Sequence, residues 1–142
     1  SGEVWCEGAR NYMKRKKWGK ARTCLIFAAQ FTPQYGDTFI EYLRCELLET
    51  GRFSDPCPIE QQCINADPNY GPIWLHCKKN QLDTPKQVLR NARRMLFEAV
   101  MLKRDPVFAS WLSDVNNMYA ATPTMSPLER FKMVYGSDQI KP

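Results

Sequence analysis

The chain has 142 residues, 44% hydrophobic and 25% charged, with a net charge of +5. That is too apolar for a disordered tail and enough to bury one core. The longest apolar run, CLIFAA at 24–29, falls far short of the roughly 20 residues a membrane span needs, and a lone histidine, His76, excludes a two-histidine metal site.

In the first third of the chain, apolar side chains recur at intervals of three and four residues: Trp5, Ala9, Tyr12 and Met13, then Ala21, Leu25 and Ala28, then Phe39, Tyr42, Leu43 and Leu47. This is the periodicity of amphipathic helices, and the breaks fall at turn-forming stretches, Lys16 to Gly19, TPQYGD and TGRFSDPCP. Glu41, Glu46 and Glu49, with Arg44 among them, read as a solvated face of the third helix. IEQQCINA and PIWLHCKKN are short helices that need packing to persist. Thr84-Pro85 is an N-cap followed by proline at the first helical position, opening a long helix with an apolar stripe of Val88, Leu89, Ala92, Leu96, Ala99 and Leu102. Asp105-Pro106 is expected to end it. Further helices are expected from Val107 to about Tyr119 and from Ser126 to Tyr135. In the last, Leu128, Phe131, Met133 and Val134 either cap the open end of the molecule or dock another subunit. No segment alternates as a strand does, so the chain reads as all-α.

A repeat organises these helices. PQYGDTF at 33–39 returns as PNYGPIW at 68–74. The bulky aromatics Trp5, Phe39, Trp74 and Trp111 are separated by 34, 35 and 37 residues, and the prolines Pro33, Pro68 and Pro106 by 35 and 38. Two landmarks sharing one period predict a stack of antiparallel helical hairpins, about 7–8 helices in a single domain 1–142, with units at 3–33, 37–68, 72–106 and 107–135. The Tyr-Gly pair after each proline is read as the corner handing one hairpin to the next, glycine supplying an unusual backbone shape and tyrosine packing over the joint.

The first unit, Trp5, Gly8-Ala9, Tyr12, Ala21, Leu25, Ala28 and Pro33, resembles the tetratricopeptide pattern, with the small residues letting two helices approach where Trp5, Tyr12 and Leu25 wedge between them. Two further stretches resemble the half-a-tetratricopeptide (HAT) family more closely: FIEYLRCE, with Phe39, Tyr42 and Glu46, and ARTCLIFAA, whose Ala-Arg pair opens the second helix. The resemblance implies a right-handed α-solenoid and a scaffold that holds other proteins in an RNA-processing assembly such as a splicing complex. A structural component of a cytoskeletal or ciliary assembly stands as the alternative on the same architecture. The opening EVWCEGAR reads as the middle of a longer repeat protein, of which this chain is expected to be a piece.

The sequence offers no active site, so no enzyme and no cofactor are expected. Cys57, Cys63, His76 and Cys77 are of zinc-ligand types but lack short paired knuckles, so no metal site is expected. The six cysteines are expected as reduced thiols, placing the protein in the nucleus or cytoplasm, with the cytoskeleton as the alternative. The sharpest charged feature is KRKKWGKAR, with Lys14, Arg15, Lys16, Lys17, Lys20 and Arg22 around Trp18. Together with Lys86, Arg90, Arg93 and Arg94 it is a candidate patch for an acidic protein segment or an RNA backbone. The alternative is a solvated turn capped by Trp18, which the lack of accompanying exposed aromatics favours over direct RNA binding.

Overall fold

The computed structural model describes residues 2–110 and 112. Six α-helices follow in chain order: α1 (Gly2–Lys14), α2 (Trp18–Phe31), α3 (Asp37–Thr50), α4 (Glu60–Ala66), α5 (Pro72–Cys77) and α6 (Pro85–Leu96), after which Phe97–Met101 form a π-helical turn. Helical backbone resumes at 106–110. The described residues contain no β-strand, as the periodicity predicts; two tyrosines, Tyr35 and Tyr70, make a lone parallel bridge.

Helices α1 and α2 form the first hairpin. The stripe that α1 buries runs through Cys6, Ala9, Arg10 and Met13, and α2 meets it with Ala21, Leu25, Ala28 and Ala29. Ala9, Ala21 and Ala28 are fully enclosed, so small side chains set the helix separation as the sequence predicts. Trp5 and Tyr12 lie beside this stripe and are only half-buried. The Trp5 ring sits 5.9 Å from that of Phe27, which in turn stacks on Phe31 at 6.2 Å, the last being 69% exposed. Arg10, a charged residue within the buried stripe, turns the inward face of α1 away from the Trp5–Tyr12 diagonal. Gly8 plays no part in close approach either, because a Cβ there would meet nothing within 4 Å.

Helix α3 is the centre of the molecule. Ten of its fourteen residues are buried, from Asp37 to Leu47, because α1, α2, α5, α6 and the π-helical turn all pack against it. The odd-numbered helices are neighbours in order, α1 beside α3 and α3 beside α5, while α6 lies against both α4 and α5. The short α4, with Cys63 its one buried residue, is held to α6 by an ion pair from Arg93 to Glu60 at 3.2 Å. Gly51, at φ 77°, ends α3 in the left-handed conformation, its N–H donating to the Leu47 carbonyl.

The N-terminus of α6 has the cap expected of Thr84-Pro85, extended to a full capping box: Gln87 N–H donates to Thr84 Oγ1 and Thr84 N–H to Gln87 Oε1. The C-terminal half of the expected long helix differs. Val88, Leu89, Ala92, Leu96 and Ala99 are buried, but Leu102 is 44% exposed and regular helix has already given way at Phe97. Pro106 opens the next helical run and does not close the previous helix. Asp105 caps that run, its carboxylate accepting from Phe108 N–H and its carbonyl from Ala109 N–H, both at 3.1 Å. The landmark Trp111 and the expected helices reaching Tyr119 and spanning 126–135 lie outside the described residues.

The repeated turns are spatial neighbours. Gly36 N–H donates to the Tyr70 carbonyl at 2.8 Å and Asn69 N–H to the Gln34 carbonyl at 3.3 Å. The Tyr35 and Tyr70 rings lie 5.3 Å apart. Asp37, the residue after the first Tyr-Gly, takes Trp74 N–H on Oδ1 at 2.8 Å and the Tyr35 hydroxyl on Oδ2 at 3.3 Å. The two glycines serve different ends. Gly71 has φ 117°, a shape only glycine adopts readily, and a Cβ on it would stand 2.4 Å from Asp37 Oδ1. Gly36 has an ordinary helical φ of −66°; it must be glycine because a Cβ would fall 2.3 Å from the Trp74 ring. The unusual backbone shape expected at both corners thus holds only at the second.

Candidate functional site

The inward face of α1 places a guanidinium against α3. The Arg10 side chain is 1% exposed, and its Nε donates to Glu41 Oε2 at 3.1 Å. Glu41, itself 0% exposed, also accepts two short bonds from Arg44, Nε to Oε1 at 3.0 Å and Nη2 to Oε2 at 2.8 Å. One buried carboxylate therefore serves two guanidiniums. This corrects the reading of the α3 acids as a solvated face: Glu41 is sealed between α1 and α3, and Glu46 is buried and accepts from the Ser54 hydroxyl, leaving Glu49 exposed and paired with Arg22. Charge type alone places such residues in solvent. A signal was nonetheless present, since Arg10 and Arg44 stand 34 residues apart, the same interval as Trp5 and Phe39.

Burial works against the charge of Glu41, but Arg44 and Arg10 outweigh it and hold the carboxyl below its ordinary pKa. For Arg10, burial would favour the neutral form, and Glu41 more than reverses that, so the guanidinium is firmly charged. Nearby Asp37 behaves differently: burial raises it to about 6 despite the hydrogen bond from Trp74 N–H and the charge of Arg10.

The Arg10 guanidinium is incompletely satisfied. Its Nη1 and Nη2 are buried and have no hydrogen-bond partner among the described residues, although buried donors are almost always paired. Arg10 forms part of the wall of a cleft of roughly 350 Å³ between α1, α3, the π-helical turn and the helical run that follows it. Lys14, Arg44 and Lys103 line the same cleft, with Met13, Val100 and Leu112 supplying apolar wall. Among the described residues, four cations thus border one space and no carboxylate lines it; Glu41 contacts the guanidiniums without lining the cleft.

The sequence-predicted basic segment forms the end of α1, the turn after it and the start of α2. Arg15 lies over the Tyr12 ring at 5.0 Å and Lys20 over the same ring at 5.8 Å. Arg22 is paired with Glu49, and Trp18 packs partly buried against the core. Lys16 and Lys17 are exposed at the turn. On α6, Lys86 and Arg90 are exposed, Arg93 pairs with Glu60 and Arg94 with Glu98 at 3.8 Å. Lys14 is the one member of this group that lines the cleft, where it joins Arg10, Arg44 and Lys103, which the charge pattern did not single out.

The zinc-type residues are otherwise employed. Cys57, Cys63 and Cys77 are buried free thiols, with burial raising Cys77 to about 12. His76 stacks on Phe108 at 5.3 Å, and burial together with the charge of Lys79 lowers its pKa to about 4. Among the described residues no three metal-ligating side chains are grouped, and no helix is long and apolar enough to cross a membrane.

Antiparallel helices sharing one core, joined corner to corner at a repeated Tyr-Gly turn, define a tetratricopeptide-like helical repeat. The family model "PRP6, TPR-like domain" matches residues 1–93. The chain belongs to this family of TPR-like domains. It is also 45% identical over 155 aligned residues to a TPR-containing protein of Dictyostelium discoideum, an alignment covering all of this chain and 12% of that protein. The chain therefore spans about an eighth of the length of the curated relative it matches. No solved structure matches it.

Proposed function

We propose that the chain is a non-catalytic scaffold module that holds other proteins within an RNA-processing assembly of the splicing type, and so works in the nucleus. The observation that carries this reading is the match to a PRP6 TPR-like domain over the part of the chain where the hairpins pack corner to corner. A helical repeat of this kind presents side chains on rigid elements and binds through surface, with no reacting group required. The buried thiols support the same conclusion, since Cys57, Cys63 and Cys77 lack the exposure that a nucleophile needs.

The test is affinity purification of the full-length protein from nuclear extract, with identification of the proteins that accompany it. Splicing factors are expected. Tubulin or axonemal proteins in their place would transfer the module to a cytoskeletal assembly, and recovery of RNA without protein would make it a nucleic-acid-binding domain.

A further inference from the structure

We propose that the cleft between α1, α3 and the 97–110 segment receives an acidic segment of a protein partner, with one glutamate or aspartate carboxylate pairing with the buried, unpartnered Nη groups of Arg10 in its wall. The proposal rests on the scaffold reading and names the chemistry of what one of its surfaces holds. Glu41 fixes the Arg10 Nε, yet both Nη groups, four of the five N–H donors of the guanidinium, are unpaired among the described residues. A carboxylate is the group whose two oxygens match the guanidinium fork. Lys14 and Lys103, both exposed, flank the opening, and with Arg44 they leave an excess of positive charge that Glu41 alone does not cancel. Such a field draws an acidic segment in and selects against a neutral one.

The walls decide between kinds of anion. Met13, Val100 and Leu112 offer aliphatic surface that suits the methylene stem of a glutamate. Among the described residues the lining is aliphatic and cationic with no aromatic ring, which favours a peptide side chain over a stacked nucleobase. At roughly 350 Å³ the space lies near the lower end of the ~300–1,000 Å³ range of ligand pockets, matching one or two side chains of a peptide.

The test uses the whole chain, a fluorescently labelled short peptide of alternating glutamate and leucine, the same peptide with glutamine for glutamate, and a labelled oligouridine. Anisotropy at low salt should show binding of the glutamate peptide only, weakening as salt is added. The Met13 methyl signal in a methionine-labelled NMR sample should move on titration. Exposed residues carry the perturbation so that folding is spared: Lys14→Glu with Lys103→Glu should weaken the peptide about tenfold or more, while Lys79→Glu, exposed and outside the cleft, should leave it unchanged. Equal binding of the glutamine peptide, unchanged binding by the double variant, or binding of oligouridine alone would each overturn the proposal. Nuclear-extract capture separates the two readings: splicing factors retained equally by the chain and the double variant would remove the cleft and leave the scaffold. Peptide binding without any captured splicing factor would do the reverse.

Discussion

Replacing Gly71 with alanine tests the corner on which the stacking depends. Two costs add. The residue sits at φ 117° and ψ 127°, a region that L side chains avoid, and holding alanine there costs about 1–3 kcal/mol. The new methyl would also lie 2.4 Å from Asp37 Oδ1, the oxygen that accepts Trp74 N–H. Displacing that carboxylate forfeits a charge-assisted hydrogen bond worth about 1.5–3 kcal/mol. Alanine stiffens the unfolded chain and returns about 0.4–1 kcal/mol, so the net expectation is a loss of about 1.5–5.5 kcal/mol. Urea denaturation followed by circular dichroism at 25 °C, with the slope checked for constancy, measures it directly. A loss below about 1 kcal/mol would show that the corner neither strains the backbone nor relies on Asp37.

Gly8→Ala should act in the opposite sense and stabilise α1 by about 0.5–1 kcal/mol in the same denaturation assay, because a Cβ there meets nothing and mid-helix glycine is unfavourable. Glu41→Gln should destabilise the fold by about 3–5 kcal/mol, since it leaves two guanidiniums, one fully buried, without their shared counter-ion; adding Arg10→Met should recover part of that loss in a double-mutant cycle. Asp37 contributes a pH dependence of definite sign. Its pKa rises from 3.8 to about 6 on folding, so the stability it confers is fully present below pH 4 and is lost as pH climbs to 6, by about 3 kcal/mol at most. Asp37→Asn should therefore gain on the wild type across that interval in thermal or urea unfolding, and parallel pH profiles for the two proteins would refute the assignment.

The helical class, the cap at Thr84-Pro85 and the role of enclosed alanines were legible because each rests on local chemistry: a period, a hydroxyl before a proline, a small side chain on an apolar stripe. What escaped was set by tertiary contacts. Arg10 and Glu41 are opposite charges 31 residues apart, and nothing local reveals that both turn inward until α1 and α3 are placed together. Their burial also explains the misplacement of Trp5, because an inward arginine shifts the buried stripe of α1 to one side. Pro106 was ambiguous for another reason: proline both ends one helix and starts another, and only the Asp105 cap fixes which. The cleft was partly legible through Lys14, but Lys103 joins it only because the chain after the π-helical turn passes back across α1 and α3.

The backbone hand-hold between the Tyr35-Gly36 and Tyr70-Gly71 turns works as a length gauge. It clamps the chain at two points, so inserted or deleted residues between them have to be absorbed by the connection from Gly51 to Ile59. That connection is therefore the place to splice in a tag, a loop or a reporter, whereas a one-residue slip at either clamp would pull Trp74 out of register with the acid that seats it.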